Sequence, residues 1–238
     1  MRVGIAGCGL IGGSMALALR ETHEVRVFDP AGTSGLTGVA ALLDLLPADV
    51  VIVATPLAQI VPTLRALAVR GDGTVLLDVG SLKREVAEYA ATAPEGARIV
   101  GGHPMAGTTG SGLAAADAEL FRGRPFFLVP TARSDDAAMG VAGDVARATG
   151  AVPTVASAAE HDRMVAVLSG LPLAVAIALA RTGADIAGFA GPGYRDATRL
   201  AATPPELAAA LLKGNADELR AALATFRTAL ADVERELG

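Results

Sequence analysis

The sequence is poor in several residue types, and each shortage narrows the class of protein. It has no tryptophan, 3% aromatic residues and a single cysteine, Cys8, in 238 residues. One cysteine excludes an internal disulfide framework and suits a reducing cytoplasm. Because aromatic side chains are scarce, the core must be built from Ala, Val, Leu and Ile.

Positive charge and long hydrophobic runs are also limited. The formal net charge is −5 and the basic residues are scattered, which argues against a nucleic-acid partner. No unbroken apolar run reaches the roughly 20 residues that a membrane span requires. The N-terminal segment lacks the layout of a signal peptide. We therefore expect a soluble, cytoplasmic protein without a membrane or nucleic-acid partner.

Short β-branched runs alternate with helical patterns until about residue 152, after which Ala- and Leu-rich helical stretches follow. Apolar strands that alternate with helices predict a parallel sheet covered on both faces. The pattern therefore predicts a Rossmann-type, doubly wound α/β domain over 1–155 and an all-α domain over 156–238. The predicted strands are 2–6, 24–28, 50–54, 75–79, 98–100, 126–129 and 151–155.

The stretch VGIAGCGLIGGS follows the first predicted strand and opens a helix. Gly7, Gly9 and Gly12 have the G-x-G-x-x-G spacing of a dinucleotide-binding turn. The first glycine allows the tight turn, the second lets the backbone approach a pyrophosphate, and the third lets helix and strand pack closely. With Leu10 and Ile11, they present a helix N-terminus to the phosphates.

Two residues at the ends of later strands complete the predicted cofactor site. Asp29 ends the second strand in VRVFDP, where its carboxylate would accept hydrogen bonds from the adenosine ribose and repel a 2′-phosphate. This favours NAD over NADP. Thr55, in VATPL, is a candidate contact with the nicotinamide ribose. A glycine turn used only for packing is the alternative, but strand, helix and acid together favour NAD binding.

Two more predicted strands end in residues suited to proton chemistry, in DVGSLK and GGHPMAG. The carboxyl ends of strands face the ligand crevice, so Ser81 and His103 are expected near the nicotinamide. A neutral imidazole can accept a hydroxyl proton while hydride leaves the same carbon, and Ser81 could orient that ring. Lys83 either offers charge to an anion or is a solvated lysine in a first helical turn.

The motifs occur in one order, as GLIGGS with Asp29, ATPL, DVGSLK, GGHPMAG, EHDRMVAVLSGLP and GPGYRDATRLA. In that order they resemble the prephenate/arogenate dehydrogenases of tyrosine biosynthesis over nearly the whole chain. The resemblance implies oxidative decarboxylation of a cyclohexadienyl acid, with hydride passing to NAD+ and CO2 leaving as the ring becomes aromatic. It also implies a homodimer formed through the C-terminal helices.

The resemblance further implies roles for particular side chains. His103 would remove the proton of the ring hydroxyl, with Ser81 as its support. Arg199 would hold a substrate carboxylate, a task that suits the fork of a guanidinium. His161 of the HD pair is either a substrate contact or a structural polar residue in the first turn of a helix. Thr109, where the family commonly has a glutamate, is a further candidate substrate contact. No metal is expected.

One departure keeps the substrate open. SGLPL stands where the family often has S-H-L-P-H, so Gly170 and Leu173 replace two histidines. Prephenate, arogenate and a related analogue such as 4-amino-4-deoxyprephenate therefore all stay candidates. A different hydroxyacid dehydrogenase of the same layout is another interpretation, although such enzymes generally use a lysine in the helical domain, where only Lys213 stands. A non-catalytic NAD-binding regulator is the third.

Overall fold

The computed structural model describes residues 1–108 and 110–238, so the predicted contact at Thr109 lies outside the described residues. Its strands are β1 (Arg2–Ala6), β2 (Glu24–Phe28), β3 (Val50–Val53), β4 (Val75–Asp78), β5 (Arg98–Pro104), β6 (Pro125–Val129) and β7 (Val152–Val155). They form one sheet in the order β2-β1-β3-β4-β5-β6-β7. The chain changes direction across the sheet between β1 and β3, which is where such folds bind ligands.

The sheet is parallel from β2 to β5, but β6 runs antiparallel to β5 and β7 runs parallel to β6. The predicted parallel sheet is therefore confirmed from β2 to β5, and β6 departs from it. Parallel neighbours need a crossover element, usually a helix. Between β5 and β6, the described residues contain only a short 3-10 turn, Leu113–Ala115, so β6 can return beside β5 in the opposite direction.

Four helices cover the two faces of the sheet. They are α1 (Leu10–Leu19), α2 (Leu57–Ala68), α3 (Arg84–Thr92) and α4 (Asp136–Ala148). Val50 and Ile52 of β3 join an apolar cluster with α1 and α4, whereas Val51 and Val53 join a second cluster with α2 and α3. Successive strand residues point to opposite faces, so this alternation explains why the buried strands are apolar throughout.

The remaining chain is helical. Its helices are α5 (Ala158–Val165), α6 (Leu171–Thr182), α7 (Pro192–Thr198), α8 (Pro205–Gly214) and α9 (Ala216–Glu236). A π-helical segment, Ala166–Gly170, joins α5 to α6. The resulting run Ala158–Thr182 is long and apolar enough, by length and composition, to cross a membrane, and 22% of its most apolar window is buried. The search for unbroken apolar runs did not find this helical segment, because scattered polar residues interrupt its apolar residues.

The chain divides into two compact units, Met1–His161 and Asp162–Gly238. The first contains the Rossmann-type sheet and the second is made of helices, which confirms the predicted fold class. The predicted functional boundary after residue 155 falls at the end of β7 and stays a prediction.

Candidate active site

The turn between β1 and α1 leaves little room for side chains. Gly7 has a φ of +96°, in the region that favours glycine, and a Cβ there would lie 2.6 Å from the carbonyl oxygen of Ala54. A Cβ at Gly12 would lie 1.9 Å from the carbonyl oxygen of Gly7. At Gly9, no described atom lies within 4 Å of the Cβ position. Gly7 and Gly12 are thus required by packing, while the space at Gly9 is open to a ligand.

The first turn of α1 supplies the donors for such a ligand. Gly9 is the N-cap, and no side chain hydrogen-bonds the start of the helix. The first N–H groups of a helix, here including those of Leu10 and Ile11, have no partner within the helix, and the helix dipole places partial positive charge beside them. An anionic phosphate fits this end.

The predicted partners of the nucleotide lie at the same edge of the sheet. The Asp29 carboxylate accepts the backbone N–H of Cys8 at 2.6 Å and of Ala31 at 2.7 Å. Each carboxylate oxygen has a second acceptor site for a ribose hydroxyl. The Oγ1 of Thr55 is buried without a hydrogen-bond partner among the described residues. An unsatisfied buried hydroxyl is costly in a folded protein, so a ligand hydroxyl would suit this position.

The side chain of Lys83 contacts the ends of β4 and β5. Its side chain is 1% exposed and forms an ion pair with Asp78, which is 0% exposed, and its Nζ donates to the carbonyl oxygen of Gly102 at 2.6 Å. Burial raises the pKa of Asp78, an effect opposed by the Lys83 charge and by the N–H groups of Gly80 and Gly102. Neither the expected contact with a substrate anion nor the solvated lysine agrees with this burial. In this structure, Lys83 joins the ends of β4 and β5 through these contacts.

Lys83 and the main chain of β4 explain the two glycines before His103. A Cβ at Gly101 would lie 3.1 Å from Cδ of Lys83, and one at Gly102 would lie 2.6 Å from the carbonyl oxygen of Asp78. β5 can therefore pass over the ion pair only as bare backbone. β5 also extends beyond the predicted bounds of 98–100, because His103 lies within it and pairs with Phe127 of β6.

His103 contacts a second histidine. Its Nδ1 lies 2.9 Å from Nε2 of His161, at hydrogen-bond distance. The two rings meet edge to face, with centroids 5.1 Å apart, and Phe127 packs edge to face against His161 at 5.3 Å. His161 is completely buried, which does not fit the substrate contact predicted for it. His103 contributes its nitrogen from the carboxyl end of β5, and His161 contributes its nitrogen from α5.

The surroundings keep the His103 imidazole neutral. Burial first, and then repulsion from charge on His161 and Lys83, holds the pKa of His103 well below its ordinary value. The expected hydrogen bond from Ser81 is not present within the part of the chain that the structure describes, although Ser81 follows β4, the neighbour of β5. The partner of the imidazole is His161 instead.

In the helical unit, Arg199 begins a 3-10 turn, Arg199–Ala202, directly after α7. Its side chain is exposed and has no ion-pair partner among the residues described. Gly170 ends the π-helical segment, and Leu173, which stands where the resemblance expects a histidine, is 4% exposed. The leucine is accommodated as a core residue.

Comparison with known protein families assigns both halves of the chain. Residues 32–155 match the family model for the nucleotide-binding domain of prephenate dehydrogenase, and residues 157–238 match its dimerization domain. The chain belongs to the prephenate dehydrogenase family. This confirms the resemblance drawn from the motifs.

Individual members of the family agree with this assignment. Prephenate dehydrogenase of Bacillus subtilis is 35% identical over 90% of this chain, and the chain spans 64% of that relative's length. A crystal structure of Synechocystis arogenate dehydrogenase is 28% identical, covers 100% of this chain and 92% of its own, and superposes with a TM-score of 0.84. Aquifex aeolicus prephenate dehydrogenase, crystallised with hydroxyphenyl propionate and NAD+, is 26% identical, covers 99% of this chain and 90% of its own, and gives a TM-score of 0.89.

Sequence reasoning missed two partnerships in this member of the family. An aspartate that ends the apolar run VLLD, five positions before Lys83, was a signal for the buried ion pair. The pairing of His103 with His161 joins residues 58 positions apart. No local pattern indicates it.

Proposed function

We propose that the protein is an NAD-dependent dehydrogenase that oxidatively decarboxylates a cyclohexadienyl acid such as prephenate or arogenate. The observation that carries the proposal is a neutral, half-buried His103 on the sheet edge that also holds the glycine turn. β1, β3, β4 and β5 are successive parallel neighbours, so their carboxyl ends form one continuous edge. A neutral imidazole beside a cofactor site suits removal of a hydroxyl proton.

The cofactor site fits NAD through three separate features. The open space at Gly9 admits a pyrophosphate, the start of α1 supplies donors, and the buried Oγ1 of Thr55 suits a ribose hydroxyl. Asp29 brings a negative charge where NADP would carry its 2′-phosphate, which disfavours NADP. When bound, NAD+ supplies the hydride acceptor.

His103 handles the proton of the ring hydroxyl. As the C–H bond at the hydroxyl-bearing carbon gives up its hydride, the O–H proton moves to the imidazole and the carbon–oxygen bond gains double-bond character. The bond to the ring carboxylate then breaks, CO2 leaves, and its electron pair completes the aromatic ring. Return of the proton to the ring oxygen gives the phenol and restores neutral His103. Aromatisation supplies much of the driving force, so the residues mainly position and desolvate the substrate.

Arg199 is the proposed anchor for a substrate carboxylate, through two parallel hydrogen bonds from its guanidinium. Its exposure and its lack of an ion-pair partner among the described residues support this role. Leu173 and Gly170 stand where the resemblance expects two histidines, which leaves the identity of the substrate open. The 4-amino analogue, in which an amine replaces the ring hydroxyl, is therefore included in the test below.

We also propose that the protein acts as a homodimer in the cytoplasm. Residues 157–238 match a dimerization domain, and this region exposes large apolar side chains, among them Leu168 at 61% and Phe189 at 93%. Burial of such surface against a second copy would remove it from water. The free, buried thiol of Cys8 suits a reducing compartment.

The test is NADH formation by the purified protein with NAD+ and each of prephenate, arogenate and 4-amino-4-deoxyprephenate, with NADP+ in parallel. We expect turnover of one of them, and preference for NAD+. In His103→Asn, we expect turnover to fall about a hundredfold or more while NAD+ binding persists. Arg199→Gln should raise KM, with Arg195→Gln as the matched control. NAD+ binding without turnover of any of the three substrates would overturn the proposed reaction.

A further inference from the structure

The partner of His103 decides which of its nitrogens can act as a base. A neutral imidazole has one N–H and one lone pair, and the nitrogen with the N–H is set by the hydrogen bond at the other. Nδ1 of His103 is already committed to Nε2 of His161 at 2.9 Å. Its Nε2 is therefore the nitrogen left to meet a hydroxyl.

Only one direction of the hydrogen bond leaves that Nε2 with a lone pair. If His161 donates, neutral His103 accepts at Nδ1 and carries its proton on Nε2, so it has no free basic nitrogen. If His103 donates from Nδ1, the lone pair of Nε2 is free. The second direction also stays intact when His103 gains a proton, since an imidazolium donates from both nitrogens.

The surroundings hold His161 in place for this contact. His161 is completely buried, and its ring packs edge to face against both His103 and Phe127. Phe127 is the cross-strand neighbour of His103 in the β5–β6 ladder. The β5–β6 pair therefore holds His103 directly and also holds Phe127, the ring that packs against His161.

We propose that His161 is a positioning residue: its Nε2 accepts the Nδ1–H of His103 and so fixes the tautomer in which Nε2 of His103 is the base. The inference rests on the proposed function for its catalytic consequence, but the direction of the hydrogen bond can be measured without turnover.

The direct measurement is nitrogen NMR of protein labelled with 15N-histidine. The chain has three histidines, so three ring systems are observed, and His23, whose Nδ1 lies 2.7 Å from Oγ1 of Thr22, serves as the reference. We expect His103 to be protonated at Nδ1 and unprotonated at Nε2. The opposite tautomer in the wild-type protein would overturn the inference, whether or not the protein turns over a cyclohexadienyl acid.

A matched pair of amide variants tests the catalytic consequence. The Gln side chain in His161→Gln reaches about as far as Nε2 and can still accept from His103, whereas the shorter amide of His161→Asn cannot. We expect kcat about tenfold to a hundredfold lower in His161→Asn, with KM and NAD+ binding little changed, and kcat within about fivefold of wild type in His161→Gln. His23→Gln is the remote control.

The two variants also separate positioning from packing. In His161→Asn, the nitrogen spectrum should show His103 losing its Nδ1–H tautomer, and in His161→Gln that tautomer should persist. Equal kcat in both variants, or loss of kcat in His161→Asn without a change of tautomer, would overturn the positioning role. Absence of turnover in the wild-type protein would instead count against the proposed function.

Discussion

At the level of single residues, the ion pair between Lys83 and Asp78 is expected to have a large effect on the free energy of unfolding, because both side chains are excluded from water. Removal of one partner of a buried pair leaves an uncompensated charge and typically costs about 3–5 kcal/mol. Replacement of both partners by neutral groups avoids that charge. The double variant should therefore lose less stability than the sum of the two single variants, and a double-mutant cycle measures that difference.

We expect Lys83→Met to lower the free energy of unfolding by about 3–5 kcal/mol, and Asp78→Asn combined with Lys83→Met to recover at least about 1 kcal/mol of that loss. Urea denaturation followed by circular dichroism gives both values. The exposed pair of Arg122 and Glu119 is the control, and Arg122→Met should leave the midpoint unchanged. A double variant no more stable than Lys83→Met would contradict the account.

The low pKa of His103 predicts a pH dependence of stability. Its folded pKa lies below the ordinary value of about 6.5, so from about pH 6.5 down to the folded pKa the unfolded chain binds a proton there and the native protein does not. Stability should fall as the pH falls from 7 to 5, with a contribution from this group of at most about 1.4 kcal/mol per pH unit. Denaturation curves for His103→Asn, recorded from pH 7 to pH 5, should show a weaker dependence of stability on pH. An unchanged dependence would exclude His103 as its source.

At the level of one element, two glycines of the turn between β1 and α1 have different roles, one in stability and one in cofactor binding. Gly7→Ala places a Cβ against the backbone at a positive φ, so we expect a loss of at least about 1 kcal/mol in stability. Gly9→Ala meets open space, so stability should stay within about 0.5 kcal/mol. Its methyl would instead occupy the path of the pyrophosphate and weaken NAD+ binding about tenfold or more. Calorimetric titration and thermal melts distinguish the two, and equal destabilisation by both would contradict the geometry.

How far an element could be predicted depended on where its determinants lie. β1 and β2 were predicted to the residue, because a short run that contains β-branched residues is a local signal of a strand. β5 is longer than predicted, since His103 joins it through pairing with β6, which no local pattern encodes. Lys83 is the N-cap of α3 rather than a residue of its first turn, and its side chain is buried in the ion pair with Asp78. Long-range pairing and burial therefore set the limits of what the sequence showed.

At the scale of the whole molecule, the predicted assembly depends on the helical unit. Leu168 and Phe189 are among its most exposed apolar side chains. We expect the protein to sediment as a dimer, and Leu168→Glu with Phe189→Glu to shift it toward monomer. Val69, 73% exposed in the α/β unit, supplies the control Val69→Glu, which should stay dimeric. A double variant that sediments like the wild type would exclude these residues from the interface.

The whole-molecule properties were also the ones best read from the sequence. The change from strand signals to Ala- and Leu-rich helices predicted the two kinds of architecture, and the order of the motifs identified the family. The roles of Ser81 and Arg199 stay predictions, because motif position does not fix what a side chain contacts.

The bare backbone of β5 over the Lys83–Asp78 pair has an evolutionary consequence. The space for a Cβ at Gly101 is limited by the side chains of Lys83 and Val129, whereas the space at Gly102 is limited by the main-chain carbonyl of residue 78, whatever side chain stands there. Gly101 is therefore coupled to the lysine, while Gly102 is constrained by the main chain of the neighbouring strand. Among descendants of this sequence, we expect Gly101 to change only in lineages that have also lost the lysine, and Gly102 to persist in both kinds of lineage.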